Sequence, residues 1–501
     1  MRVLFVYTNI NGFHADSFGD GIAQIMAVTK NAGHEIQQSY ILNKQKYSDF
    51  ERQVKNFKPD VIGYTAVSSQ WSFVVELADI VKKISPNTIQ VCGGVHTTLS
   101  PSCILESESL DCVFVGDAEY PFLDFIKKVE NKQNWKDCDN IAFNENGKMK
   151  KNKLRPLLSN EELEKLPHPD RTTFPFSKVL NDVGIAPFHF TRGCPFTCTY
   201  CSNIGIAKVY GHARYNIRQA SPEYAIQELE QVIRENPTIG PVYKISLTDD
   251  IFGLNKKWRR EFLKLYRERV KVPFVCLLRC DVATEDTLED LAKGYCDKIQ
   301  FGVESGNEYI RNVVMDRAMK RETIINAFKL AKKFGLKTNA INIIGVPGET
   351  KEALLDTIRL NQEIDPTTSG VNIFYPYKGT PLGDKCFKDG LVNLEKYKDF
   401  SNERRESVLN YDEEWLETLK YYRSNWYTEV FPRTKMKNIT RTTLDLYYNF
   451  KQQIKRIPVV GPIVTDQWRA AKREVKMGLK GNKQVAVPYR KGEEPTINHF
   501  M

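Results

Sequence analysis

The stretch TRGCPFTCTYC, residues 191–201, places Cys194, Cys198 and Cys201 within eight positions, in the spacing C-x3-C-x2-C. Three thiols suit neither a structural zinc ion, which takes four ligands, nor a disulfide framework, which takes an even number. A cubic iron–sulfur cluster needs four iron ligands, so three protein thiolates would hold it and leave one iron open to a substrate or cofactor. Short spacing on one loop lets the thiolates converge on three corners of such a cube. A zinc site completed by a distant fourth ligand is the competing reading. The other eight cysteines (Cys92, Cys103, Cys112, Cys138, Cys276, Cys280, Cys296 and Cys386) are scattered and read as small buried hydrophobes.

Such a loop needs a scaffold, and the hydrophobic patterning predicts an α/β chain with two. From residue 1 to about 130, apolar runs (VLFVY at 3–7, DVIGYTAV at 60–67, TIQVCGG at 88–94, CVFVG at 112–116) alternate with helical periodicity, which predicts a doubly wound parallel sheet. Ligands on such sheets sit at the carboxyl ends of the strands. The residues there are Thr8–Gly12, Ser68–Gln70, Gly93–His96 and Gly116–Glu119. Residues 136–184 lose the rhythm, and LPHPDRTTFPF (166–176) reads as an extended linker. From 185 onward, six strand–helix units predict a partial (β/α)6 barrel whose chemistry lies at the C-terminal ends of its strands. The cysteine triplet follows the first of these strands, Asp249 and Asp250 end the second, and Glu304 lies near the end of a later one. The expected organisation is a first domain at 1–135, a linker at 136–184, a barrel at 185–390 and a helical basic region at 391–501. Helices are predicted there around 412–430, 442–456 and 465–479.

The 501-residue chain carries a net charge of +10 and no run of eighteen apolar residues, so no spanning helix is expected. Its start, MRVLFVYTNINGF, is too short in apolar residues for a signal peptide and reads as a buried strand. The expected compartment is therefore the reducing cytoplasm, where clustered thiols serve metal or redox chemistry. The charge is concentrated: residues 431–490 hold fourteen Lys/Arg against Asp445, Asp466 and Glu474, which leaves the first 430 residues close to neutral. Tyr447, Tyr448, Phe450, Trp468 and the run IPVVGPIV interleave with these cations. That mixture points to peripheral contact with an anionic membrane surface. A solvated helical appendage is the plainer reading. Nucleic acid attracts the same charge, but no RNA-binding module is visible.

The triplet and its context resemble the radical S-adenosylmethionine (SAM) superfamily, in the branch that carries an N-terminal cobalamin-binding domain. RYNIRQASPEYAIQELEQVI, LTDDIFG, FGVESGNE, IIGVPGET and YPYKGTPL occur in that branch's order, and SSQWSFVVELADIVKK, GGVHTTLSP and VGDAEYPF look like its cobalamin fold. The resemblance covers roughly residues 1–385. It implies a [4Fe-4S] cluster on Cys194, Cys198 and Cys201, with SAM chelating the open iron through its amino and carboxylate groups. Reduction by an external electron donor would then cleave SAM to a 5′-deoxyadenosyl radical. Tyr200 would contact the adenosine, Glu304 the methionine or ribose portion, and Val346–Gly348 the adenine. Asp249 and Asp250 would bond SAM or substrate, although they could simply cap their loop. Ser68, Ser69, Gln70, Gly93, Gly94, His96, Gly116 and Glu119 would border cobalamin. Histidine-ligated cobalamin domains carry D-x-H-x-x-G after the first strand. Here His14 lacks both the Asp and the Gly, so no protein histidine is expected on cobalt.

The implied activity is that of a cobalamin-dependent radical SAM methyltransferase acting on an unactivated carbon of a small apolar or lipid-like molecule. The alternative is a non-methylating cyclisation, rearrangement or oxidation. A cobalamin sensor or carrier with a degenerate barrel is a third reading, against which the intact triplet argues.

Overall fold

β-Branched and aromatic runs set the strands, and the computed structural model, which describes residues 1–10, 18–176, 180, 185–235, 244–398 and 403–432, arranges them in three sheets. The first contains β1 (Arg2–Thr8), β2 (Glu35–Ile41), β3 (Val61–Thr65), β4 (Ile89–Gly93), β5 (Cys112–Phe114), β6 (Ile141–Glu145) and β7 (Lys148–Lys151), in the order β2-β1-β3-β4-β5-β6-β7. β1 to β5 pair in parallel, as the alternation of apolar runs and helices predicts, and β6 and β7 add an antiparallel edge. β2 (EIQQSYI) has no apolar run to announce it and forms at the edge against β1.

The span 136–184 does more than connect. Besides β6 and β7 it provides Phe174 and Phe176, each 1% exposed, within an apolar core that reaches from Val3 and Phe5 to Phe188 and Phe252. Arg171 lies over the rings of Phe18 (4.4 Å) and Phe188 (4.5 Å), with its charge met by Glu228 and by Asp20 at 3.6 Å. The expected extended linker is thus a buried wedge. Its prolines shape a segment whose aromatics face inward, and Pro spacing alone cannot distinguish that from an exposed connection.

The barrel is a six-stranded parallel sheet in the order β15-β14-β13-β12-β11-β8, each strand beside its predecessor in the chain. Its strands are β8 (Ile185–Phe188), β11 (Lys244–Leu247), β12 (Phe274–Leu278), β13 (Cys296–Glu304), β14 (Lys337–Ile344) and β15 (Thr368–Ile373). β14 shows the pattern: Thr338, Ala340, Asn342 and Ile344 are buried, and the residues between them are half-buried. Side-chain caps from Asn255, Thr284 and Thr350 begin three of the returning helices, as where Thr350 accepts from the Ala353 amide. A separate antiparallel pair, β9 (Thr191–Cys194) and β10 (Tyr215–Gln219), stands on the barrel after β8.

All these elements lie in one compact unit, Met1–Ser424. A second unit begins at Asn425, inside the helix Glu413–Val430 that corresponds to the first of the three predicted tail helices. The other two tail helices, nearly all of the basic stretch and His14 lie outside the described residues. Among the described residues no helix is long and apolar enough to cross a membrane.

Candidate active site

The cysteine triplet sits where the first barrel strand hands the chain to β9. Cys194 ends β9, paired with Tyr215 of β10. Cys198 and Cys201 share a tight turn in which the Cys201 amide donates to the Cys198 carbonyl at 3.1 Å, and Cys201 caps the helix Ser202–Val209. Cys198 is buried and the other two are half-buried. Segment 314–317 clamps this loop from across the barrel. The Thr199 amide donates to the Met315 carbonyl (3.0 Å), Thr199 Oγ1 to the Val314 carbonyl (2.7 Å), and Thr197 Oγ1 to Asp316 Oδ2 (2.7 Å). Among the described residues no three His, Cys, Asp or Glu side chains gather closely enough for a single metal ion. What the loop offers is three cysteines of C-x3-C-x2-C spacing, and among the described residues no four-ligand cage surrounds them, a set that suits a cluster with one open iron better than a structural zinc ion. Burial pushes Cys194 up to about 11 and Cys201 up to about 12, with the Asp250 charge adding to both. Binding to a metal would deprotonate these thiols outright.

Beneath the loop lies a cationic network. Arg279 Nη1 donates to Cys198 Sγ at 3.3 Å, its guanidinium stacks on Phe196 at 3.7 Å, and Nη2 reaches the Arg317 carbonyl at 2.7 Å. Arg317 Nη1 donates to Tyr200 Oη at 2.7 Å and lies 3.3 Å from Glu304 Oε1, while its Nη2 donates to the Gly302 carbonyl at 2.6 Å. Tyr200, Glu304 and Cys198 are thus drawn together by two arginines. Glu304 sits at φ +66°, where the register of β13 against β14 shifts, and its carboxylate folds back over Gly302, where a Cβ would meet it at 2.6 Å. Bulges of this kind re-aim side chains beside active sites. Burial raises the Glu304 carboxyl, with Arg317 opposing.

Asp249 and Asp250 part company. Asp249 is fully buried, accepts from the Phe190 amide at 3.1 Å through Oδ1, and has no partner for Oδ2. Asp250 is exposed at the mouth. Val346–Gly348 form the turn after β14, where the buried Glu349 accepts from the Gly345 amide at 2.5 Å. Arg279 and Arg317 escape sequence reasoning. A single charge closing the apolar run FVCLL was the one available signal for Arg279, and nothing local marks Arg317.

The carboxyl-end loops of the first sheet form the second half of the site. His96 is buried on the short helix Val95–Leu99, with Nδ1 3.1 Å from Ser68 Oγ, its ring 5.0 Å from that of Trp71, and Nε2 without a partner. Burial, with Lys378 adding, lowers its pKa to about 4, so the imidazole is neutral at ordinary pH. Gly94, at φ +107°, lets this turn close on Ala66, whose carbonyl oxygen a Cβ would meet at 2.6 Å. At Gly93 a Cβ would meet only Phe114 Cβ, at 3.8 Å. Ser69 is buried in the turn that begins the next helix. Gln70 commits its amide to the chain itself, accepting from the Ile10 amide (2.8 Å) and donating to the Ile10 carbonyl (3.1 Å). Glu119 Oε1 pairs with Arg192 Nη2 at 2.5 Å, which leaves Oε2 buried and unpartnered. Thr8 Oγ1, at the end of β1, is likewise buried without a partner. Orphaned polar atoms on three carboxyl-end loops, beside an open face at Gly93, fit a large ligand with many amide groups.

Comparison with known proteins agrees with this division. Residues 188–360 match the radical SAM superfamily and residues 13–126 match the B12 binding domain. An uncharacterized methyltransferase of Pyrococcus horikoshii is 30% identical over 359 residues, 70% of this chain and 75% of that protein. The anaerobic magnesium-protoporphyrin IX monomethyl ester cyclase of Rubrivivax gelatinosus is 25% identical over 79% of this chain and 72% of its own length. The structure of the radical SAM methyltransferase TsrM from Kitasatospora setae, with tryptophan and a SAM analogue bound, matches 77% of this chain and 76% of that chain at a TM-score of 0.61 and 15% identity, a likeness of fold.

Proposed function

The chain belongs to the cobalamin-binding radical SAM family, a radical SAM enzyme with methyltransferase relatives, and from that premise we propose that it methylates an unactivated carbon of a small apolar molecule. The observation that carries the reading is the placement of three free cysteines on one loop, Cys194 at the end of β9 and Cys198 and Cys201 in the turn after it, at the carboxyl end of the barrel strands. Cys194, Cys198 and Cys201 hold the cluster. Arg279 and Arg317 orient the Cys198 sulfur and offset the negative charge that gathers there. Tyr200 and Glu304, fixed by Arg317, present a phenol and a carboxylate to SAM, and Asp250 faces the mouth. Asp249 fixes the start of the cysteine loop through Phe190. On the cobalamin side, Ser68, Ser69, Gly93, Gly94 and His96 border the corrin and its tail, with Gln70, Gly116 and Glu119 holding the loops that carry them. When bound, the cluster supplies the electron that cleaves SAM, and cobalamin carries the methyl group.

The apolar substrate is inferred from the basic, aromatic stretch 431–490, which would hold the enzyme at an anionic membrane surface. The test of methyl transfer follows SAM. Protein loaded with cluster and cobalamin should form S-adenosylhomocysteine as well as 5′-deoxyadenosine, and cobalamin-free protein should form no S-adenosylhomocysteine. Formation of 5′-deoxyadenosine alone, with cobalamin present and substrate converted, would replace methyl transfer by a cyclisation or oxidation.

A further inference from the structure

The two halves of the site meet through a polar network. Arg192, two residues before Cys194 on β9, places Nη2 on Glu119 Oε1 (2.5 Å) and Nη1 3.5 Å from Asp117 Oδ1. Arg218, on β10, donates to Asp117 Oδ2 at 2.6 Å and to Tyr215 Oη at 2.7 Å. Tyr210, just past the helix that Cys201 caps, accepts from the Asp117 amide at 3.0 Å. Its hydroxyl fills the notch over Gly116, where a Cβ would lie 1.9 Å from Oη and where φ is +82°. The Gly116 amide in turn donates to Thr98 Oγ1, which donates to the Gly94 carbonyl. A continuous chain of directed contacts therefore runs from the Gly94 turn to the hairpin bearing Cys194.

We propose that Arg192 and Tyr210 are positioning residues that lock the loop Gly116–Glu119 to the cysteine-bearing hairpin, and so set the separation of the cobalamin face from the cluster. The inference rests on the reading of the two cofactor sites given above. Adhesion alone does not call for such a network. The apolar core around Phe18, Phe174, Phe176 and Phe188 already joins the two domains, and apolar contact is non-directional. Burying four charged side chains (Glu119 only 5% exposed, Arg218 10%) carries a desolvation cost, and the best-attested use of buried ion pairs is to fix register. Hydrogen bonds at fixed angles supply the direction that apolar packing lacks. A displacement of about 1 Å between reacting groups is enough to cost catalysis heavily, which gives the lock its function.

The test uses the full chain carrying cluster and cobalamin, in three forms: unaltered, Arg192→Lys and Tyr210→Phe. Lysine keeps the charge but not the planar fork that reaches both carboxylates, and phenylalanine keeps the ring but loses the hydroxyl. Iron content and aquacobalamin affinity should match the unaltered protein within about threefold, because neither side chain lies in a cofactor pocket. The magnetic interaction between Co(II) of the bound cobalamin and the reduced cluster, read by pulsed electron paramagnetic resonance, should broaden to a spread of about 1 Å or more in separation. A distance distribution in both variants that superimposes on the unaltered one overturns the proposal while leaving the cofactor reading intact. Loss of either cofactor from both variants also overturns it, since a positioning role leaves both pockets formed. Failure of the unaltered protein to hold cluster or cobalamin removes the cofactor reading, and the proposal with it.

Discussion

Arg311 has no place in the chemistry, yet the cysteine loop depends on it. Its side chain is wholly buried, with Nε donating to the Met319 carbonyl (2.8 Å) and Nη1 to those of Ser305 (2.8 Å) and Gly306 (3.1 Å). The chain from 310 to 319 wraps this guanidinium through a turn of π-helix, Ile310–Val314, and Val314, Met315 and Asp316 within it hold Thr197 and Thr199 of the cysteine loop. Replacement by Met fills much of the volume but leaves three buried carbonyls without donors, each costing about 1–3 kcal/mol. Removing the cost of burying a cation, which already lowers the Arg311 pKa, offsets part of that. A net local loss of about 3 kcal/mol follows, and at 1.4 kcal/mol per tenfold this raises the local opening constant about 100-fold. Amide hydrogen exchange in Arg311→Met should therefore accelerate by about that factor at Met315, Arg317, Thr199 and Cys201, with the helix Trp71–Ile84 unchanged as an internal control. Acceleration below about threefold at those amides, or equal acceleration in the control helix, would refute the reasoning.

Burial lifts the Glu349 carboxyl from 4.5 to about 8 in the folded protein. Its contribution to stability is full below about pH 4.5 and is lost as pH rises through about 8, with a slope of up to about 1.4 kcal/mol per pH unit. Glu349→Gln should flatten the thermal midpoint between pH 5 and 8, and a variant with the wild-type slope would contradict this. Gly94→Ala puts a methyl 2.6 Å from the Ala66 carbonyl at a φ hostile to L-residues, so the first domain should lose about 2 kcal/mol or more of local stability; equal exchange protection in both proteins would count against it. His96 should show no imidazole titration by nuclear magnetic resonance between pH 5.5 and 8, and a midpoint near the ordinary value of 6.5 would show that the ring is not buried as described. Full-length protein should co-sediment with anionic vesicles at low salt and a chain ending near residue 430 should not, and equal binding by both would remove the membrane role.

The scaffold was legible because its strands are apolar and its turns polar: the parallel alternation in the first domain and the six barrel strands follow from runs such as VLFVY and INII. Strands without that contrast were not. β2 carries two glutamines at its centre, and β7 is KMKK, which pairs with β6 and turns Met149 alone toward the apolar core. The triplet Cys194, Cys198 and Cys201 could be found because ligand spacing on one loop is a local property. Arg279 and Arg317 could not, because they reach Cys198 from 81 and 119 residues away, across the barrel. The same distance in sequence hides the partners of Gln70 and Glu119. Both lie on the predicted loops, but Gln70 turns its amide to Ile10 and Glu119 turns one oxygen to Arg192.

The central claim is that three thiolates hold a cluster on which SAM is cleaved. The most direct test compares anaerobically reconstituted wild-type protein with the triple variant Cys194→Ala, Cys198→Ala, Cys201→Ala for iron, sulfide and 5′-deoxyadenosine. The first should hold about four iron and four sulfide per chain and form 5′-deoxyadenosine on reduction, and the second should show none of the three. A triple variant that still forms 5′-deoxyadenosine would contradict it.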